Sequence, residues 1–355
     1  MLKRFDRRIA CVVIYVVLSF GTVRMARADP TVEMADINVL SDLRDVEVRM
    51  DRIGNGLAAA NVALCRHRQP DTGMVLHTLD SYARTMRDTV RSYFGFDANL
   101  AILAVRPGSA AERAGLLAND SIVAINGAPT GPSVLARETS SGLVDSYRRI
   151  ASLAPNLPIK VTIIRDKRPQ KVIIYPTPVC RARFELVASP RFEASSDGEM
   201  VQITTRFFAT LNDTELAVLI AHELAHNILE HPRRLAAQKV QVGILAGFGR
   251  NVGYFRQTET QADVLSVSLL ANAGLPPTSA ATFWSSVGRR VLGGAFTSRS
   301  HPSWKDRAAT TANEARRLSG IIARPIISDI LKTRDVALDG NWQTILVRAG
   351  RSATR

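Results

Sequence analysis

Cysteine is nearly absent: the 355 residues hold three, Cys11, Cys65 and Cys180, and none has zinc-finger spacing. Apolar runs of bilayer-spanning length, about 20 residues, are missing after residue 28. The one candidate there, Val240 to Phe248, is about half that length and is flanked by Lys239 and Arg250. It reads as a buried segment or a flap over a cleft. No repeats or low-complexity tracts occur, and a composition of 46% hydrophobic and 22% charged residues is that of a globular chain. Aromatic residues are few, 6%, and no aromatic-studded RNA-binding motif accompanies the basic residues. The net charge of +14 is scattered rather than clustered. It therefore implies a solvated basic surface suited to anionic membranes or acidic partners, and no nucleic-acid binding.

What is present begins with Lys3, Arg4, Arg7 and Arg8, which precede a 15-residue apolar run from Ile9 to Val23 and then Ala26-Arg27-Ala28. This order predicts a cleaved secretory signal over residues 1–28, the run being short for a spanning helix. An uncleaved N-terminal membrane anchor is the alternative. Cleavage removes six positive charges and one negative from the +14, leaving +9. It also removes Cys11, and an even pair in an exported chain predicts a disulfide between Cys65 and Cys180, against two free buried thiols. The expected location is periplasmic or otherwise extracytoplasmic.

Residues 29–90 carry helical periodicity at Val46, Met50, Ile53 and Leu57, with Pro70 and Gly73 marking a turn before a second helix around 78–92. The pattern then changes. "AILAVRPGSAAERAGLLANDSIVAING" predicts a strand from Ile102 to Val105, a Pro107-Gly108 turn, a short helix ending at Gly115, a strand from Ser121 to Ile125 and an Asn126-Gly127 turn. "IKVTIIRDKRPQKVIIYP" reads as a hairpin. This stretch resembles PDZ domains, and the resemblance covers residues 91–178. Such domains add an extended peptide as a strand to a sheet edge. Tyr93-Phe94-Gly95-Phe96 lies where that family places its carboxylate-binding loop, making Phe94, Gly95 and Phe96 the implied peptide-binding residues, although Tyr93 replaces the loop's first glycine. A spacing or shielding role is the other reading.

The chemistry lies further on. In "IAHELAHNILEH", His222 and His226 stand four residues apart with Glu223 beside the first. Asn212 or Asp213 as a cap, Glu215 in the first turn and an apolar stripe from Leu216 to Ile228 predict a helix, which puts both imidazoles on one face. Metal held by two histidines and a carboxylate lowers the pKa of water to about 7, and a carboxylate beside that water serves as general base. The third ligand is not His231, which is out of register for a metzincin: position 229 is Leu rather than Gly and position 232 is Pro rather than His. His231 reads as a surface residue near a helix end. "YFRQTETQADVLSVSLLANAG" supplies the carboxylate, Glu259, with Asp263 one turn on to fix a ligand imidazole's tautomer.

His222-Glu223-Leu224-Ala225-His226, Glu259-Thr260-Gln261-Ala262-Asp263 and His301-Pro302 followed by Arg307 resemble the HtpX-like and CAAX-prenyl-protease-type zinc metalloendopeptidases. The resemblance implies His222, His226 and Glu259 as ligands of one Zn²⁺ per chain, Glu223 as base and Asp263 as its outer support. It places His301 and Arg307 near the cleft as stabilisers of an oxyanion; His301 would alternatively fill the metal's remaining position in a resting form, or simply pack. Glu193-Ala194 stands where relatives carry Asn-Ala, and "GEMVQITTRFF" looks like the strand that runs beside substrate. The expected fold class is α+β: a small β-rich PDZ domain, then a mainly helical gluzincin metallopeptidase domain over 179–320 with a small sheet, and a tail, 321–355, without an assigned role. The expected partners are protein or peptide substrates, with peripheral membrane association. Three motifs in order favour a metalloendopeptidase; a peptide-binding holdase with a latent metal site is the competing reading.

Overall fold

The computed structural model describes residues 30–131, 137–240, 251–292 and 301–349. The expected signal segment and residues 241–248 of the expected flap lie outside them. The chain divides into two compact units. The first takes residues up to Arg52, Gln69–Pro178 and Leu186–Ala188, and the second takes Ile53–Arg68, Val179–Glu185 and Ser189 onward. Among the described residues no helix is long and apolar enough to cross a membrane.

The first unit is built on an antiparallel sheet. After a short strand β1 (Arg68–Asp71), which pairs with a later strand β8 (Thr177–Cys180), come β2 (Met74–Thr78), β3 (Leu100–Val105), β4 (Ser121–Ile125), β5 (Ala128–Pro129), β6 (Ile159–Arg165) and β7 (Arg168–Ile174). The order is β2-β3-β4-β6-β7, with β5 paired to β4. The predicted turns fall where the dipeptides put them: Asn126 and Gly127 take φ 49° and 79°, and Asp166 and Lys167 close the β6–β7 hairpin at φ 51° and 61°. The sheet is covered on both faces. One face packs Leu76, Ile102, Ile122, Val161 and Ile174 with Ile150 and Tyr147 of the helix Ser141–Ala151. The other packs Val75, Ala101 and Leu103 with Leu40, Val90, Phe94 and Phe96.

This second core changes the reading of residues 78–96. The sheet starts at Met74, inside the stretch expected to be helical, because β2 is buried on both faces and so lacks the alternation that marks a strand. The expected helix at 78–92 contracts to Arg87–Phe94, preceded by two short 3-10 turns. Gly95, at φ 62°, is the left-handed cap of that helix, its N–H donating to the Arg91 carbonyl. Phe94 and Phe96 are buried around the His77 ring, with centroids 4.8 and 4.4 Å away. Gly95 thus ends a helix, and the rings of Phe94 and Phe96 belong to a core.

His77 itself is 4% exposed. Its Nδ1 meets the Tyr82 hydroxyl at 2.9 Å, and burial, aided by the Arg44 charge, pushes its pKa from 6.5 down to about 3. Below pH 6.5 the unfolded chain gains a proton here that the folded unit does not take. Stability is therefore lost as the pH falls, by about 2 kcal/mol at pH 5 from this group alone. We expect His77→Leu, which cannot titrate, to narrow its stability difference from wild type by that amount between pH 8 and pH 5 in urea unfolding; parallel pH profiles would show that His77 is protonated in place.

The second unit carries the disulfide Cys65–Cys180, whose Cα atoms lie 5.4 Å apart. A three-stranded sheet follows, formed by β9 (Arg183–Val187), β10 (Ala194–Ser196) and β11 (Met200–Thr204) in the order β10-β11-β9. Three helices then set the site: the histidine helix Asp213–Ile228, the glutamate helix Asn251–Asn272 and the arginine helix Trp304–Arg317. The first opens with a reciprocal capping box, Asn212 accepting from the Glu215 N–H and Glu215 accepting from the Asn212 N–H. The tail has a place after all. Asp339 and Gly340 donate N–H groups to Gln257 Oε1, and the Gln257 amide donates to Asp339 Oδ1, tying the tail to the glutamate helix two residues before Glu259.

Candidate metal centre

On the histidine helix, His222 and His226 are one turn apart and turn their Nε2 atoms toward each other at 3.2 Å. The glutamate helix packs alongside and brings Glu259 between them: Oε2 lies 3.2 Å from His222 Nε2 and Oε1 lies 3.5 Å from His226 Nε2. Two ligand atoms, each about 2.0–2.1 Å from a tetrahedral ion, lie about 3.3–3.4 Å apart. The three separations are of that size. Glu259 Oε2 is buried and faces His222 Nε2, an acceptor pair that only a shared proton or a cation can bridge. His222, His226 and Glu259 therefore fit a metal ion.

Supporting groups decide which nitrogen each imidazole presents. Asp263, fully buried one turn after Glu259, lies 3.1 Å from His222 Nδ1, so Nδ1 donates and Nε2 keeps its lone pair. Arg307, 2% exposed, holds Asp263 with two bonds, Nε to Oδ2 at 2.8 Å and NH2 to Oδ1 at 2.7 Å. Its guanidinium stacks 3.4 Å from the Trp284 ring centroid. Trp284 opens a π-helical segment, Trp284–Gly288, whose wider turn sets the indole under that guanidinium. The sequence resemblance put Arg307 at the oxyanion. In the structure it holds Asp263 and stacks on Trp284, and its NH2 also lies 3.2 Å from both ring nitrogens of His222 and 3.8 Å from Glu259 Oε2. Burial opposes charge on Asp263, but Arg307 and His222 outweigh it and hold its pKa below the ordinary carboxylate value.

Three acceptors facing one point are not stable without positive charge. In the metal-free protein a proton supplies it: burial and the Arg307 charge push His222 down, yet its bonds to Asp263 and Glu259 prevail and lift its pKa to about 9. Burial meanwhile lowers His226 to about 3. Metal binding must displace the His222 proton. Calorimetry in buffers of different ionisation enthalpy should therefore record about one proton released per zinc at pH 7.5, declining above about pH 9. Proton-neutral binding at pH 7.5 would contradict this arrangement.

Glu223 stands beside the trio without joining it. It is 8% exposed, and burial raises its pKa to about 7 against the His222 charge, while the Ser196 hydroxyl hydrogen-bonds its carboxylate. Ser196 comes from β10, held over the histidine helix by the turn into β11, where the Gly198 N–H donates to Asn227 Oδ1 at 2.8 Å. This corrects the expected substrate-side strand. β11, which contains the "MVQIT" of "GEMVQITTRFF", is bonded on both sides, so among the described residues the sheet's edges are β9 and β10, and β10, residues Ala194–Ser196, is the edge packed along the histidine helix. His301 lies at the rim, half-exposed, with Nε2 3.4 Å from Glu259 Oε2.

His231 is the largest departure from the sequence reading. It is fully buried rather than at the surface, with Nδ1 3.0 Å from His226 Nδ1 and Nε2 3.0 Å from Gln261 Oε1. Glu230, in the left-handed region at φ 54°, turns the chain back so that the next helix, His231–Ala237, starts beneath His226. The available signal was the polar run "QTETQAD", which had to bury Gln257 to Gln261 on a packed helix and so required internal partners.

Comparison with known proteins agrees with this geometry. Residues 192–253 and 248–315 match the model of peptidase family M48. This stretch is similar to the M48 peptidases. The M48 match indicates a metallopeptidase, a hydrolase of peptide bonds, and the trio is a group that could hold its metal. Residues 102–137 match the PDZ domain model, so a PDZ region precedes the M48 region in an α+β chain. Among solved structures, the crystal structure of the HtrA3 PDZ domain bound to a phage-derived ligand (FGRWV) is 20% identical, covering 32% of this chain and 90% of that one with a TM-score of 0.24. At that level the likeness carries no argument about function. No curated protein matches the chain.

Proposed function

We propose that the chain is a zinc-dependent endopeptidase acting on protein substrates of the bacterial cell envelope, its PDZ region recruiting or gating them. One observation carries the reading: three metal-ligand atoms, those of His222 and Glu259 buried and that of His226 partly so, at tetrahedral-ligand separations, with a carboxylate of raised pKa beside them. Zinc, when bound, supplies a Lewis acid that polarises the scissile carbonyl and acidifies water. The chain's own residues do the rest. A substrate backbone pairing with the free edge of β10 is laid along the histidine helix. Glu223, its pKa near the working pH, takes a proton from the attacking water and returns it to the leaving amine nitrogen. Asp263 and Arg307 hold His222 in the tautomer that leaves Nε2 free.

Recruitment finds support at the other sheet. Among the described residues β2 is paired on one side, by β3, and an incoming peptide strand would have to displace the Tyr147 hydroxyl from the Leu76 N–H, where it accepts at 2.8 Å. The apolar N-terminal run and the basic surface support export and peripheral membrane association. Dialysis of the purified chain against 1,10-phenanthroline should abolish casein cleavage, and about one equivalent of zinc should restore it, as a single three-ligand site requires. Cleavage that survives metal removal would overturn the activity. Recovery of the tagged chain from the cytoplasm alone on cell fractionation would overturn the compartment.

A further inference from the structure

Of the two ligand histidines, only His222 is backed by a carboxylate. His226 is backed by His231, and the bonds behind that pair form a chain in which each donor dictates the next. Arg234, 4% exposed, has only donors, so its NH1 contact at 2.9 Å must be to the oxygen of Gln261. That oxygen also lies 3.0 Å from His231 Nε2, and an oxygen cannot donate, so His231 carries its proton on Nε2. His231 Nδ1 is then a lone pair. It faces His226 Nδ1 at 3.0 Å, which must supply the hydrogen. With the proton on Nδ1, His226 presents the lone pair of Nε2 to Glu259 and His222.

We infer that Arg234, Gln261 and His231 form a neutral-ended relay that fixes the tautomer and ring orientation of His226 for metal binding, the counterpart of Arg307 and Asp263 behind His222. Packing alone does not account for it. A fully buried imidazole with an apolar role leaves two polar nitrogens to satisfy, and here both are spent on members of this chain of bonds. Gln261 sits on the glutamate helix between Glu259 and Asp263, so one helix supplies the carboxylate ligand and the outer supports of both histidines. His231 is a positioning residue: it touches His226, not the metal.

The inference rests on the metal-site reading, and the experiment separates the two. In the metal-free full chain, ¹⁵N-labelled at its six histidines, long-range ¹H–¹⁵N spectra at pH 8 should show His226 protonated on Nδ1 and His231 on Nε2. The reverse tautomer at His231 overturns the relay whether or not the chain binds metal. In chelator competition, His231→Phe should weaken zinc binding about 10- to 100-fold. His231→Asn, whose Oδ1 replaces the Nδ1 acceptor, should stay within about threefold of wild type. Equal affinity in His231→Phe, or equal loss in both variants, would reduce His231 to packing. If His231→Phe does not fold, the Asn variant and the tautomers still decide. Failure of the wild type to bind zinc would instead sink the metallopeptidase reading.

Discussion

Glu223→Gln should hydrolyse peptides about 10²- to 10⁴-fold more slowly than wild type while holding the same amount of zinc. The argument starts from position. Glu223 follows His222 directly, so the helix projects its side chain beside the imidazole pair but not into the triangle of His222, His226 and Glu259. Its carboxylate is buried and its pKa is raised to about 7, so it exchanges a proton readily at neutral pH. Glutamine keeps the shape and the polar contact with Ser196 but has no proton to take or give. Turnover of labelled casein, measured beside zinc content by elemental analysis, checks both halves. Turnover within a few-fold of wild type would remove Glu223 from the chemistry, and loss of zinc would make it a ligand instead.

The parts of this site that could be read in the sequence are those fixed by one helix's periodicity. His222 and His226 at four residues, and Glu259 and Asp263 at four residues, share a helix face whatever surrounds them. The capping box at Asn212 and Glu215 is equally local. What was not legible depends on contacts between segments. His231 enters the site because a left-handed Glu230 reverses the chain, and nothing in its neighbours' composition announces that. The core that encloses the rings of Phe94 and Phe96 is built from helix and strand residues far apart in the chain. β2 was hidden by its own burial, since a strand covered on both faces has no alternation to show. The edge at β10 follows from strand order and from its packing on the histidine helix, visible only once β11 is seen between two partners.

Arg307→Met should cost about 3–5 kcal/mol of stability and weaken zinc binding about 10- to 100-fold, not merely slow turnover. Asp263 is buried with its charge held by Arg307 and by the His222 Nδ1–H, and removing the guanidinium leaves that charge with the single bond from His222. The carboxylate then protonates or shifts, and His222 loses the acceptor that fixes its Nδ1 proton. Arg307→Lys should not rescue, because an ammonium neither forks onto both Asp263 oxygens nor stacks on Trp284. An oxyanion role makes the opposite forecast, a lower kcat with zinc affinity and unfolding midpoint unchanged. The double variant Asp263→Leu/Arg307→Met separates stability from function. Replacing both members of a buried ion pair by apolar side chains restores most of the stability. It cannot restore zinc affinity, since His222 Nδ1 still has no partner. Recovery of both together in the double variant would mean that the pair only packs; recovery of stability alone assigns it the task of holding His222.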